Sequence, residues 1–184
     1  MSVGWIGVVA GDHVDRFSVR SKPDRVRPVL ATAVAAEKAA SSNPILLDGG
    51  DQFQGTLFYT YYKGKAAAEM MNGLGYDAMT VGNHEFDDGP EVLRGFVDSV
   101  DFPVLMSNAD VSGEEKLADA IQKSTVIERG GEKIGLIGLT PQDTDELASP
   151  GPNVIFTDPV DAVQAEVDRL TEEGVNNIVV LSHS

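Results

Sequence analysis

Short apolar runs, each closed by Gly, Asp or Asn, alternate along this chain with longer helix-like stretches, and no other feature narrows its fold as far. The runs suit buried strands and the stretches suit amphipathic helices, which is the pattern of βαβ units. Strands are expected over residues 4–10, 44–48, 77–81 and 103–106, and helices over 25–41, 65–74 and 90–99. Residues 125–129 and 133–139 flank Gly130-Gly131-Glu132, a local hairpin signal. A helix over 159–173, capped by Thr157 or Asp158 and closed by Gly174, precedes a last strand over 177–181. Such alternation builds a largely parallel sheet covered by helices through right-handed crossovers. Segments 110–123 and 140–153 are the long irregular connections, and loops of that length are often functional.

At 184 residues the chain can bury one full core. Its 14 Lys and Arg against 29 Asp and Glu leave a formal charge of −15, which argues against a nucleic-acid polymer as partner, because such binding draws on basic residues to neutralise phosphates. The same charge disfavours docking on anionic lipid, and no apolar run reaches the roughly 18 residues of a membrane span, so no membrane insertion is expected. Residues 1–10 lack a basic n-region and a cleavage site; as written the chain is expected to be cytoplasmic, or periplasmic or extracellular if its N-terminus is incomplete. Zero cysteines exclude disulfides and thiolate metal sites.

The unusual polar residues fall just past the expected strand ends: Asp12 after the first, Asp51 after the second, Asn83 and His84 after the third, His183 after the last. In open α/β sheets, ligand sites form in the crevice outside the carboxyl ends of strands. Carboxylate, carboxamide and imidazole from separate strand ends make a metal-ligand inventory suited to Mn, Fe, Zn or Mg. In Asp48-Gly49-Gly50-Asp51 the glycines allow a tight turn that points Asp51 into the crevice, although an acidic turn alone would also read this way. In Gly82-Asn83-His84-Glu85-Phe86-Asp87 the Asn oxygen can take a metal while His84 stays free for substrate. Asp87, three residues on, is close enough to hold the imidazole in one tautomer. His183 by itself reads equally as an exposed histidine.

The segments Ile45-Leu46-Leu47-Asp48-Gly49-Gly50-Asp51-Gln52-Phe53-Gln54-Gly55-Thr56 and Met71-Asn72-Gly73-Leu74-Gly75-Tyr76-Asp77-Ala78-Met79-Thr80-Val81-Gly82-Asn83-His84-Glu85-Phe86-Asp87 resemble the 5'-nucleotidase branch of the calcineurin-like metallophosphoesterases. Residues 102–109, 131–140 and 181–184 are similar to the same family, so the resemblance runs over nearly the whole chain. It implies an α/β fold, the four-layered α/β/β/α metallophosphoesterase sandwich, holding two divalent metal ions (Mn, Zn, Mg or Fe) roughly 3.5–4 Å apart. It further implies Asp51 as the bridging carboxylate, Asn83 and His183 as ligands of the second metal, and His84 with Asp87 as the dyad that stabilises the transition state. The implied activity is phosphoesterase, hydrolysing nucleotide phosphate esters by a hydroxide activated between two metals, and the implied partner is a small-molecule phosphate ester, a nucleotide.

Two departures qualify the match. Family members open with Asp-x-His after the first strand, whereas here Asp12 and His13 are adjacent, and adjacent residues of an extended chain face opposite ways. Asp12 and His13 remain the metal-ligand candidates, with Asp15 as a substitute. The family also continues past Leu-Ser-His-Ser to a Gly-His motif and a C-terminal nucleoside-binding domain. Residues 1–184 are therefore expected to be a partial catalytic domain, incomplete at the C-terminus. The alternative is a truncated or degenerate metal-binding remnant with little or no activity.

Overall fold

The computed structural model describes the backbone of residues 6–10, 13–17 and 23–29, and residues 30–55 and 57–183 with their side chains. Its elements run β1 (Ile6–Ala10), β2 (His13–Phe17), α1 (Pro23–Ala40), β3 (Ile45–Asp48), α2 (Leu57–Tyr62), α3 (Lys65–Leu74), β4 (Ala78–Thr80) and a single 3-10 turn (His84–Phe86). Then follow α4 (Pro90–Val97), β5 (Val104–Leu105), β6 (Ala109–Asp110), β7 (Ser124–Arg129), β8 (Glu132–Leu139), α5 (Thr144–Leu147), β9 (Ile155–Phe156), α6 (Pro159–Glu172) and β10 (Asn177–Ser182).

The strands form a five-stranded sheet of order β2-β1-β3-β4-β5, a three-stranded sheet of order β10-β8-β7, and a small pair, β6-β9. Strand side chains alternate between faces, and this alternation assigns the layers. Ile45, Leu47, Ala78 and Leu105 of the first sheet meet Leu136 and Leu181 of the second in one buried cluster. Leu46, Met79 and Val104 point the other way, into a core shared with Val34 of α1, Met71 of α3 and Leu93 and Phe96 of α4. Ile137 leaves the second sheet on its outer face and packs on Leu170 of α6 and on Val175. Helices, sheet, sheet and helix are thus stacked in the expected four layers.

Most local expectations hold. The β7–β8 hairpin turns at Gly130 and Gly131, both at positive φ (61° and 87°), which is what a two-residue turn matched to strand twist requires. Asp158, not Thr157, caps α6, accepting hydrogen bonds from the Val160 and Asp161 N–H groups. Strands β3, β4 and β5 are mutually parallel, as are β8 and β10.

The N-terminal edge corrects the sequence-based expectation. A strand β2 follows β1 directly and pairs with it antiparallel, and β1 also runs antiparallel to β3. Two linking residues allow only a reversal of chain direction, never a crossover. The crossover through α1 therefore joins β2 to β3, with β1 inserted between them. Two further pieces of structure fall where irregular chain was expected: β6 lies at the head of segment 110–123, and α5 within 140–153.

The two sheets are also tied by charge, since Arg129 of the hairpin pairs with Asp77, whose other oxygen accepts the Leu46 N–H at 2.8 Å. Leu46 itself is fully buried between the first sheet and the helices. Leu46→Ala is expected to lower unfolding stability by about 2–5 kcal/mol, the range for a leucine truncated in a packed core. Urea denaturation followed by circular dichroism measures it, with an unchanged m-value expected.

Candidate active site

The site is built at the carboxyl ends of β3, β4 and β10. Beyond Asp48 the chain turns through Gly50 and Asp51, at φ 91° and 64°, and the turn directs the Asp51 carboxylate inward, its side chain only 4% exposed. One Asp51 oxygen accepts the backbone N–H of His84 at 3.1 Å; the other lies 3.2 Å from His183 Nε2. Residues 33 positions apart, and a third from the far sheet, therefore meet on one carboxylate. His183 is brought there by its backbone N–H, which donates to Leu139 C=O and extends the β8–β10 pairing by one residue.

Both histidines of the site have Nδ1 occupied. His183 Nδ1 lies 2.7 Å from the Gly49 carbonyl, which can only accept, so the proton sits on Nδ1 and Nε2 faces Asp51. A second-sphere carbonyl of this kind is how proteins orient a ligating imidazole. Burial opposes a charge on His183, but the hydrogen bond to Asp51 and the charge of that carboxylate prevail and hold its pKa above the ordinary value. His84 Nδ1 lies 2.7 Å from Asp87 Oδ2, and the His84 side chain is 37% exposed. Asn83 opens the same 3-10 turn, its carbonyl accepting the Phe86 N–H.

Asp51, Asn83, His84, Asp87 and His183 thus stand together at one edge of the fold. His13 and Asp15 lie in β2, where only the backbone is described, and Asp12 lies outside the described residues. Among the described residues, no group of three or more His, Asp or Glu side chains forms a ready metal cluster. The donor chemistry nevertheless suits a divalent cation: a buried carboxylate and an imidazole nitrogen oriented by its other nitrogen face one another at 3.2 Å, beside a carboxamide residue.

Two buried carboxylates of the site had drawn no role in the sequence. Glu85 is fully buried and accepts backbone N–H groups from both segments that form the crevice. Its only sequence mark is its place after Asn83-His84. Asp48, the last residue of β3, accepts the Gly50 N–H and the Gln52 side-chain amide. Burial, reinforced by the Glu85 charge, pushes its pKa up to about 7 against the hydrogen bonds that favour its ionised form. Behind them, the Thr140 hydroxyl donates to Val81 C=O while Asn108 and Thr140 exchange two hydrogen bonds, fixing the strand that delivers Gly82 and Asn83.

The Asp48 shift has a testable consequence. The folded carboxyl keeps its proton to about pH 7 whereas the unfolded one loses it near 3.8, so this group's contribution to stability is present below 3.8 and is lost as pH rises through 7. In chelator, the stability of Asp48→Asn relative to the parent chain is therefore expected to increase with pH across that window. Thermal melts of the two proteins from pH 5 to about 8 check it.

No protein-family model matches the chain. The 5'-nucleotidase of Diplobatis ommata is 46% identical to it over 157 residues, covering 83% of this chain and 27% of that protein. Among solved structures, a 5'-nucleotidase precursor from Thermus thermophilus superposes with a TM-score of 0.80 at 45% identity, covering 83% of this chain and 30% of that one. The NAD nucleotidase of Haemophilus influenzae gives a TM-score of 0.80 at 28% identity over 97% of this chain and 31% of that one. The chain thus spans a little under a third of the length of each of these three proteins.

Proposed function

The chain belongs to the 5'-nucleotidase family of calcineurin-like phosphoesterases, and from that premise we propose that it carries a divalent-metal hydrolytic site for nucleotide phosphate esters. One observation carries this reading: Asp51, His183 and the His84 turn, drawn from three strand ends, converge on a single buried carboxylate. Asp51, Asn83 and His183 would hold the metal, with Asp12 and His13 added by the family resemblance. Bound divalent ions supply Lewis-acid polarisation of phosphoryl oxygens and lower the pKa of water.

The chain's own groups do the remaining work. Asp87 accepts from His84 Nδ1–H and so fixes one tautomer and one ring orientation. His84 then presents Nε2 toward the phosphoryl group, where a proton on that nitrogen offsets charge that builds during transfer. The Asp51 carboxylate orients the His84 backbone as well as facing the cation position, so substrate-facing and metal-facing groups share one anchor. The acidic surface is no obstacle to an anionic substrate, because bound cations dominate the local field. A small nucleotide is the expected partner, and no helix among the described residues is long and apolar enough to cross a membrane.

Metal content per chain, measured by mass spectrometry after dialysis against Mn and Zn, is to be paired with phosphate release from AMP on the same sample. Two ions per chain with turnover are expected. None or one, with no phosphate released, would overturn the proposal in favour of a metal-binding remnant.

A further inference from the structure

Glu85 lies between His84 and Asp87 in the sequence, yet four hydrogen bonds tie it to the crevice segments. Its Oε2 accepts the N–H of Asp51 at 2.8 Å and of Gly82 at 2.7 Å; its Oε1 accepts the N–H of Gln52 at 2.6 Å and of Phe53 at 3.2 Å. The side chain is fully buried. A buried carboxylate without partners would be strongly destabilising, so four N–H donors are what allow it to sit there.

Those donors also describe a task. Three belong to the segment that carries Asp51 and one to the turn that carries Asn83 and His84. Asp51 is held at φ 64° and Gln54 at 73°, left-handed conformations that residues other than glycine, asparagine and aspartate seldom adopt. The anchoring is reciprocal: Glu85 receives the N–H of Asp51, and Asp51 receives the N–H of His84. The fit is close as well, since a Cβ on Gly82 would run first into the Asp51 carboxylate oxygen Oδ1 and would lie 2.7 Å from Asp51 N and 3.0 Å from Glu85 Oε2.

We propose that Glu85 is a positioning residue, whose carboxylate crosslinks residues 51–53 to Gly82 and thereby sets Asp51 against His84 and His183. The assignment rests on the hydrolytic reading for its catalytic meaning, but its geometric content stands apart from turnover. In Glu85→Gln the shape is kept while one oxygen becomes an amide donor facing two N–H donors, so two of the four bonds must be lost. Gly82→Ala keeps the Glu85 carboxylate but drives a methyl into the carboxylate and backbone of Asp51, so it reports on the tightness of the crevice while Glu85→Gln reports on the glutamate.

Three quantities are to be measured on the full 184-residue chain and both variants: Mn2+ affinity by calorimetry, amide hydrogen exchange, and phosphate release from AMP. In a variant with parent-like circular dichroism, the Mn2+ dissociation constant is expected to rise about 10–100-fold, as when a metal ligand loses its outer support. Exchange protection should fall at Asp51, Gln52, Phe53 and Gly82 but hold at Leu46, Leu93 and Leu136, and saturating Mn2+ should restore part of the lost turnover. Unchanged Mn2+ affinity and unchanged exchange at residues 51–53 and 82 would overturn the assignment. So would failure of Glu85→Gln to fold, because the carboxylate would then hold the fold and not the site. If the parent chain releases no phosphate, the hydrolytic reading fails while exchange at these amides still judges Glu85.

Discussion

Asp51→Asn is expected to reduce phosphate release from AMP by at least about 10³-fold, the upper end of what loss of one preorganised electrostatic group costs. Asparagine suits the test because it tolerates the left-handed backbone at φ 64° and can still accept the His84 N–H through its oxygen. What it removes is the negative charge facing His183 Nε2. The fold should therefore survive, with a circular dichroism spectrum like that of the parent, while bound Mn2+ per chain falls. A variant that retains both its metal and its turnover would show that the charge of Asp51 does not build the site.

His84→Ala is expected to lower kcat by about 10²–10³-fold, the usual cost of deleting one group that stabilises transition-state charge. Metal content and KM should stay near the parent values, because the contribution of His84 to Asp51 comes through its backbone N–H, which alanine keeps. Asp87→Asn complements it. A carboxylate accepts from His84 Nδ1–H and its charge balances a ring that carries a second proton on Nε2, whereas an amide is uncharged and can donate to Nδ1 instead, which removes that balance and loosens the ring. A kcat loss of the same order as in His84→Ala, with the metals still bound, is the expected result from steady-state kinetics; equal activity in Asp87→Asn and the parent would dismiss the dyad.

Much of this site was legible before any coordinates, and the reasons are local. Asp51, Asn83, His84 and His183 each follow an apolar run, and side chains just past strand ends in an α/β sheet face a common crevice. His84 and Asp87 are three residues apart in a turn, so their contact needs nothing from the rest of the chain. Glu85 was not legible, although it sits between them. Its partners at residues 51–53 lie 32 to 34 positions away, and only the parallel pairing of β3 with β4 brings those N–H groups to it.

The sequence by itself determined most of the regular elements, among them the glycine turn of the β7–β8 hairpin and the helix α6 with its cap narrowed to Thr157 or Asp158. These depend on side-chain period, φ preference and capping, all of which act over a few residues. Tertiary structure alone decided that β1 lies between β2 and β3, that Asp48 is buried deeply enough to hold its proton to about pH 7, and that one glutamate spans two segments of the crevice. Strand order, desolvation and long-range hydrogen bonds depend on which surfaces the packed layers bring together, and no local pattern encodes that choice.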